Sequence, residues 1–211
     1  MDALPPERLP ATRSPRGPAA LAEIHRPGAR IAIWPRRLPP GLAPGLAILA
    51  ARAPWSAVVE GTPEACLAGL TRRLPSTARP ALRADLLLLA KAFLAVSGEA
   101  TLRLRLEAFR GPGCHRWHAD AVGLRLLMTY VGPGTEWLDL PGGAARARAL
   151  DPDALPVPLQ RLRRGQVAIL KGEAHPGNAG NACIHRSPPN AEDSPPRLLL
   201  CLDEPGRIPL P

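Results

Sequence analysis

The sequence predicts an α+β fold rich in β structure: a sandwich or barrel of antiparallel strands with helices packed outside it. Three observations point there. Apolar residues recur at helical spacing between about residues 62 and 97. After Gly98 the period switches to strand-like alternation. From there to about residue 205, short apolar runs are separated by Gly/Pro turns.

Residues 1–45 are rich in Pro, Ala and Arg and keep no sustained period. They read as an N-terminal tail, partly irregular, with residues 1 to about 25 expected to be poorly ordered. Within it, Ile31-Ala32-Ile33-Trp34 suits a short strand docked on the domain, and His25 reads as a surface histidine. Residues 46–211 are expected to form a single domain, with helices over about 62–97 and a barrel-like core over about 98–205. Thr62-Pro63-Glu64 is a helix start, because Thr62 offers a capping hydroxyl and Pro63 occupies the first helical position. Cys66, Leu67, Leu70 and Leu74 follow at helical spacing, and Pro75 stops the run. A second helix from about Pro80 to Val96 carries Leu82, Leu86, Leu89 and Phe93 as one apolar stripe, with Gly98 as its cap.

The strands come next. Leu102, Leu104, Leu106 and Ala108 alternate with Arg103, Arg105 and Glu107, and Gly111-Pro112-Gly113 turns the chain. Val122, Leu124, Leu126, Met128 and Tyr130 form a second alternating run. Gly132-Pro133-Gly134 ends it, with Pro133 and Gly134 suited to the centre of a type II turn. Residues 139–164 hold several prolines, Gly142-Gly143 and five arginines, and read as a long loop. Further strands are expected at Gln166–Leu170, around Cys183–His185, and at Arg197–Leu202.

Composition narrows the function. The formal charge is +9 and the pI about 10.8. Yet Lys occurs only at positions 91 and 171, so Arg supplies almost all of the 27 basic residues, scattered in runs no longer than two. That pattern fits a GC-rich coding bias better than a nucleic-acid surface. The four cysteines form no Cys-x-x-Cys pair, which excludes a zinc ribbon or thioredoxin motif, and they read as free thiols in a reducing compartment. The N-terminal residues lack an apolar signal core, and no apolar run is long enough to span a bilayer. A cytoplasmic protein with no membrane partner is therefore expected, acting on a small molecule or a protein side chain.

One stretch carries metal chemistry. His118 and Asp120 are two apart, so on extended backbone they point to one face. His185 offers a third ligand. Two imidazoles and one carboxylate on one face leave coordination positions open, the arrangement of non-haem Fe(II) oxygenases. Each also has a bland reading, as core histidines and a turn-capping aspartate. Arg197, on the strand after His185, presents a guanidinium able to grip a carboxylate bidentately, or else to form a surface salt bridge. Tyr130 and Arg125 are candidates to help it. Cys114, Glu136, Trp137 and Arg186 are pocket candidates, with Glu136 and Trp137 after the tight turn at the pocket mouth. Trp117 should point away from His118. His115 and His175 read as exposed and loop residues.

The order His118-x-Asp120, His185, Arg197 resembles the 2-oxoglutarate/Fe(II)-dependent oxygenase superfamily over roughly residues 100–205. That resemblance implies a double-stranded β-helix, the jelly-roll or cupin-like barrel. It also implies Fe(II) held by His118, Asp120 and His185, and 2-oxoglutarate anchored at Arg197. Two departures stand out. Several branches place Ser or Thr two residues after the arginine, where this chain has Leu199. Cupins use His-x-His, where this chain has Asp120. A narrower set of motifs is similar to the bacterial family called domain of unknown function 1826. These are Cys114-x-x-x-His118-x-Asp120, Arg125-Leu126-Leu127-x-Thr129-Tyr130-x-Gly132-Pro133-Gly134-Thr135-Glu136-Trp137, Lys171-Gly172-Glu173 and His185-Arg186-Ser187-Pro188-Pro189. That family's association with zinc homeostasis implies an alternative: a non-catalytic zinc-binding protein using the same ligands, with Cys114 as a possible fourth.

Overall fold

In the computed structural model, which describes residues 16–72, 74, 79–189 and 194–206, strand alternation gives the main sheet two chemically different sides. A 3-10 helix, Gly17–His25, comes first. Then follow β1 (Ile31–Trp34), α1 (Ala43–Ala51), β2 (Trp55–Gly61), α2 (Pro63–Thr71), α3 (Arg79–Ser97), β3 (Leu102–Phe109), β4 (Leu124–Val131) and β5 (Glu136–Leu138). The remaining elements are α4 (Gly143–Arg148), β6 (Gln160–Arg161), β7 (Val167–Lys171), β8 (Ile184–Arg186) and β9 (Arg197–Asp203). Six strands form one sheet in the order β1-β7-β4-β9-β3-β2, and three form a second in the order β6-β5-β8. Every pairing is antiparallel.

The helices form where the local chemistry asks for them. The Thr62 hydroxyl accepts from the Ala65 amide at 3.3 Å and caps α2. On α3, Leu82, Leu86, Leu89 and Phe93 are completely buried. Gly98 takes φ +76°, a left-handed conformation that glycine adopts without Cβ strain, and its amide closes the helix on the Leu94 carbonyl.

These helices cover one face of the large sheet. Leu102, Leu104 and Leu106 of β3, Leu124, Leu126, Met128 and Tyr130 of β4, and Leu198, Leu200 and Leu202 of β9 all join the helix stripes in one core. The intervening residues therefore point the other way. Leu127 and Cys201 pack with Cys183 and Trp137 against the small sheet. Arg105, Glu107, Arg125, Leu199 and Arg197 share that second side by the same alternation. Function is built there, between the two sheets.

Several expectations need correction. Of the residues expected to be poorly ordered, Gly17–His25 form the 3-10 helix, which buries Ala20, Leu21 and Ile24. Two apolar anchors three apart suffice to dock that turn, too few to register as a period. β1 pairs with β7 as a docked strand. The reading of 139–164 as loop misses α4 and β6, which are too short to show periodicity. α1 and β2 were not foreseen as elements; β2 is an edge strand with only Ala57 buried. The expected stop at Pro75 and the order of residues 1–15 lie outside the described residues. Among the described residues no helix is long and apolar enough to cross a membrane.

Candidate metal centre

The candidate ligands are brought together by a strap rather than by a regular strand. His118 forms an isolated antiparallel bridge with His185: each donates its amide to the other's carbonyl, at 3.0 and 2.9 Å. The Ser187 amide donates to the Cys114 carbonyl at 2.8 Å, extending the same pairing. Asp120 lies just beyond, outside any strand, so the expected strand-borne His-x-Asp is corrected to a bridge followed by a loop. That loop is fastened by Lys171-Gly172-Glu173. The Glu173 amide donates to the Asp120 carbonyl and the Gly172 amide to the Gly123 carbonyl, both at 2.8 Å. A Cβ on Gly172 would collide with the Val122 carbonyl and lie 2.8 Å from that of Asp120, so the close approach needs glycine.

Three side chains converge as a result. A ligand atom from each of His118, Asp120 and His185 lies within 4.8 Å of the other two. His185 Nε2 is 3.3 Å from Asp120 Oδ2, and His118 Nε2 is 4.0 Å from Asp120 Oδ1. The two rings stand 4.4 Å apart at a 51° tilt. His118 Nδ1 contacts the Arg116 carbonyl at 2.9 Å, and His185 Nδ1 contacts that of Cys183 at 3.2 Å. A carbonyl only accepts, so each Nδ1 carries the proton and each Nε2 presents a lone pair to the shared space. Asp120 Oδ2 is buried without a hydrogen-bond partner. A buried carboxylate oxygen facing two imidazole lone pairs has an unmet demand for a cation, which a divalent metal ion would meet.

Electrostatics agree. Burial works against the Asp120 charge, while His185, Arg125 and His118 favour it and hold the carboxyl below its ordinary value. Burial pushes the His185 imidazole below its own range and keeps it neutral, the form that ligates metal. Arg125 is thus the lasting partner of Asp120. Its guanidinium donates to Asp120 Oδ1 and, bidentately, to Asp203 at 2.6 and 3.0 Å. Arg125 and Asp203 sit opposite each other on β4 and β9. So Arg125 orients Asp120 and is held by Asp120 and Asp203 rather than offered to a co-substrate, a correction to its expected role.

Arg197 is fully buried. Its Nε donates to the Pro133 carbonyl and its Nη1 to Ser187 Oγ, both at 2.8 Å, while Nη2 is buried with no partner. Burial lowers its pKa to about 10, so it stays charged at neutral pH. A cleft of about 280 Å³ opens over the ligands, lined by His118, His185, Ser187, Leu127, Leu199 and Thr135, together with Arg105, Glu107 and Phe109 of β3.

The other candidates scatter. Tyr130 points to the helix side of the sheet and donates to Asp85 Oδ2 on α3 at 2.8 Å, so it cannot reach a ligand in the cleft. Glu136 is buried between Arg161 and Arg186 in ion pairs, on the face of β5 opposite His185's cross-strand neighbour Trp137, and lines no mouth. Trp137 packs between the sheets. Arg186 stacks 4.3 Å over Trp117 and lines a separate cleft with it. Trp117 packs against Leu138, Ala147 and Ile184, away from His118 as expected. Cys114 is exposed at the cleft's rim and supplies no atom to the metal group. A four-ligand zinc site through Cys114 therefore finds no support. Arg105, Ser187 and Asp203 were missed. Ser187 lies within one of the quoted motifs, and Asp203 sits one residue past the expected end of the last strand.

A family model described as "Protein of unknown function (DUF1826)" matches residues 16–203. No curated protein matches the chain. Among solved structures, the dioxygenase for auxin oxidation in rice superposes with a TM-score of 0.54 at 16% identity, over 88% of this chain and 75% of that one. AviO1 from Streptomyces viridochromogenes gives 0.49 at 17% identity, over 95% and 100%. A Pseudomonas putida prolyl-4-hydroxylase gives 0.49 at 12%, over 90% and 100%. The rice enzyme shares this chain's fold. The latter two scores fall too low to add weight.

Proposed function

We propose that this chain, which belongs to the DUF1826 family, is a mononuclear non-haem Fe(II) oxygenase that uses 2-oxoglutarate. The observation that carries the reading is the convergence of one ligand atom each from His118, Asp120 and His185 within 4.8 Å, at an Asp120 whose Oδ2 has no hydrogen-bond partner. The shared fold with a dioxygenase agrees with it. Bound there, ferrous iron would supply oxygen chemistry coupled to oxidation of 2-oxoglutarate to succinate.

The chain's own residues do the rest. His118, Asp120 and His185 would hold the ion, and the cleft beside them would admit its other ligands. Arg125 and Asp203 hold Asp120 in place. Arg197 offers the buried Nη2 to the far carboxylate of 2-oxoglutarate, with Ser187 fixing the guanidinium from the His185 strand. Leu199 and Leu127 keep water from the centre.

Paired substitutions test this anaerobically, with Fe(II) and 2-oxoglutarate binding measured by equilibrium dialysis. His118→Ala should abolish Fe(II) binding. Arg197→Leu should keep the iron and weaken 2-oxoglutarate. Losing one partner of a buried charge pair costs about 2–5 kcal/mol, or roughly 30-fold or more in affinity. Unchanged Fe(II) binding in His118→Ala would refute the site.

A further inference from the structure

The cleft holds more positive charge than the co-substrate needs. Arg105, on β3, lines it beside the metal ligands. A guanidinium carries five N–H donors. Arg105 has only a 3.8 Å ion pair to Glu107, two residues along the same strand face, and the neighbouring Cys201 sulfur. Burial pushes the Cys201 thiol up to about 12, so that sulfur is neutral and a weak acceptor. Arg110 also lines the cleft, whereas Arg125 is occupied by Asp120 and Asp203. Within the lining, Glu107 is the single carboxylate, against Arg105, Arg110 and Arg125.

Arg105 and Arg197 leave the sheet from different rows. Arg105 sits opposite Cys201 on β9, while Arg197 sits opposite Phe109. Four residues of β3 separate the two rows, about 13 Å at the rise of a strand. A five-carbon diacid held at Arg197 leaves Arg105 for a second ligand. Glu107 and its cross-strand partner Leu199 lie between the two rows, Leu127 shares the row of Arg105 and Phe109 that of Arg197, so the apolar surface of the cleft runs from one row to the other.

We propose that Arg105 is the substrate-recognition residue of this cleft and that the substrate is a small organic acid, a carboxylate carried on an apolar body. The carboxylate meets the Arg105 guanidinium and the apolar body lies along Phe109, Leu127 and Leu199, in reach of the open side of the metal. This assignment rests on the oxygenase reading for its choice of Arg197 as the co-substrate anchor.

The test is calorimetric. The protein is titrated anaerobically with 3-phenylpropanoate and hexanoate, and with the matching neutral amides, both metal-free and with Fe(II) and 2-oxoglutarate bound. Wild type should prefer the acids by about tenfold or more. Arg105→Gln should erase that preference, Arg105→Lys should restore part of it, and Arg197→Leu should retain it. Near-ultraviolet circular dichroism checks that each variant is folded. Equal binding of acid and amide, no binding of any probe, or an undiminished preference in Arg105→Gln would overturn the proposal. So would loss of 2-oxoglutarate binding in Arg105→Gln with none in Arg197→Leu, since the two arginines would then have exchanged roles. Failure of wild type to bind Fe(II) and 2-oxoglutarate, with the Arg105-dependent preference intact, strikes the oxygenase reading alone. Sound iron and co-substrate binding without that preference strikes this proposal alone.

Discussion

Tyr130 is the chain's only tyrosine, so its ionisation can be read without interference from another phenol. Burial first, then the charge and hydrogen bond of Asp85, hold it well above its ordinary value. A group whose folded pKa is raised stabilises fully below its unfolded pKa, about 10 for tyrosine. That stability is lost as pH rises above this value toward the folded pKa. Ultraviolet tyrosinate absorbance should therefore stay flat well past pH 10 and rise only as the protein unfolds. Early, reversible ionisation would place Tyr130 nearer water. Tyr130→Phe should lower stability by about 1 kcal/mol, read from urea midpoints, and leave 2-oxoglutarate affinity unchanged.

Residue identity and order made the grouping of His118, Asp120 and His185 legible, and the order also singled out Arg197. Facing was legible too, by parity. Arg125 and Tyr130 are five apart on one strand, so they cannot share a side. The alternation that buried Leu126 and Met128 with the helices already assigned Tyr130 to them. What sequence could not carry was partnership across elements. Arg125 meets Asp203, and Arg197 meets Ser187 and Pro133, through strand register that no local pattern encodes.

At the scale of elements, the centre depends on how the strap is fastened. Gly172 lets the β7 end approach the Asp120 loop, so Gly172→Ala should push the Val122 and Asp120 carbonyls away and weaken Fe(II) binding. Gly172 has no positive φ, so the substitution acts through the steric clash alone. Equal metal affinity in Gly172→Ala and wild type would show that the strap tolerates the shift. Elsewhere, Arg36 grips Asp85 of α3 with two 2.8 Å bonds and donates to the Gly165 carbonyl, tying the segment after β1 to a helix and a turn. Both side chains are nearly excluded from solvent. Arg36→Leu strands a buried carboxylate and should cost about 3–5 kcal/mol in urea unfolding, with metal affinity of the folded protein kept.

Across the whole molecule, the sheet separates stability from chemistry. Its helix side is a continuous apolar core, and its other side carries the arginines, Glu107 and Asp203. The switch of period at Gly98 announced this mixed helix and antiparallel-sheet architecture. The short elements, β5, β6 and α4, escaped because they hold too few residues for a period, yet β5 and β8 form the small sheet that carries His185. The most direct trial of the central claim is succinate formation from 2-oxoglutarate by the Fe(II)-reconstituted chain, beside His118→Ala. The oxygenase reading predicts oxygen-dependent succinate from wild type and none from the variant. Wild type that binds Fe(II) yet forms no more succinate than His118→Ala, with the organic acids above supplied, would contradict it.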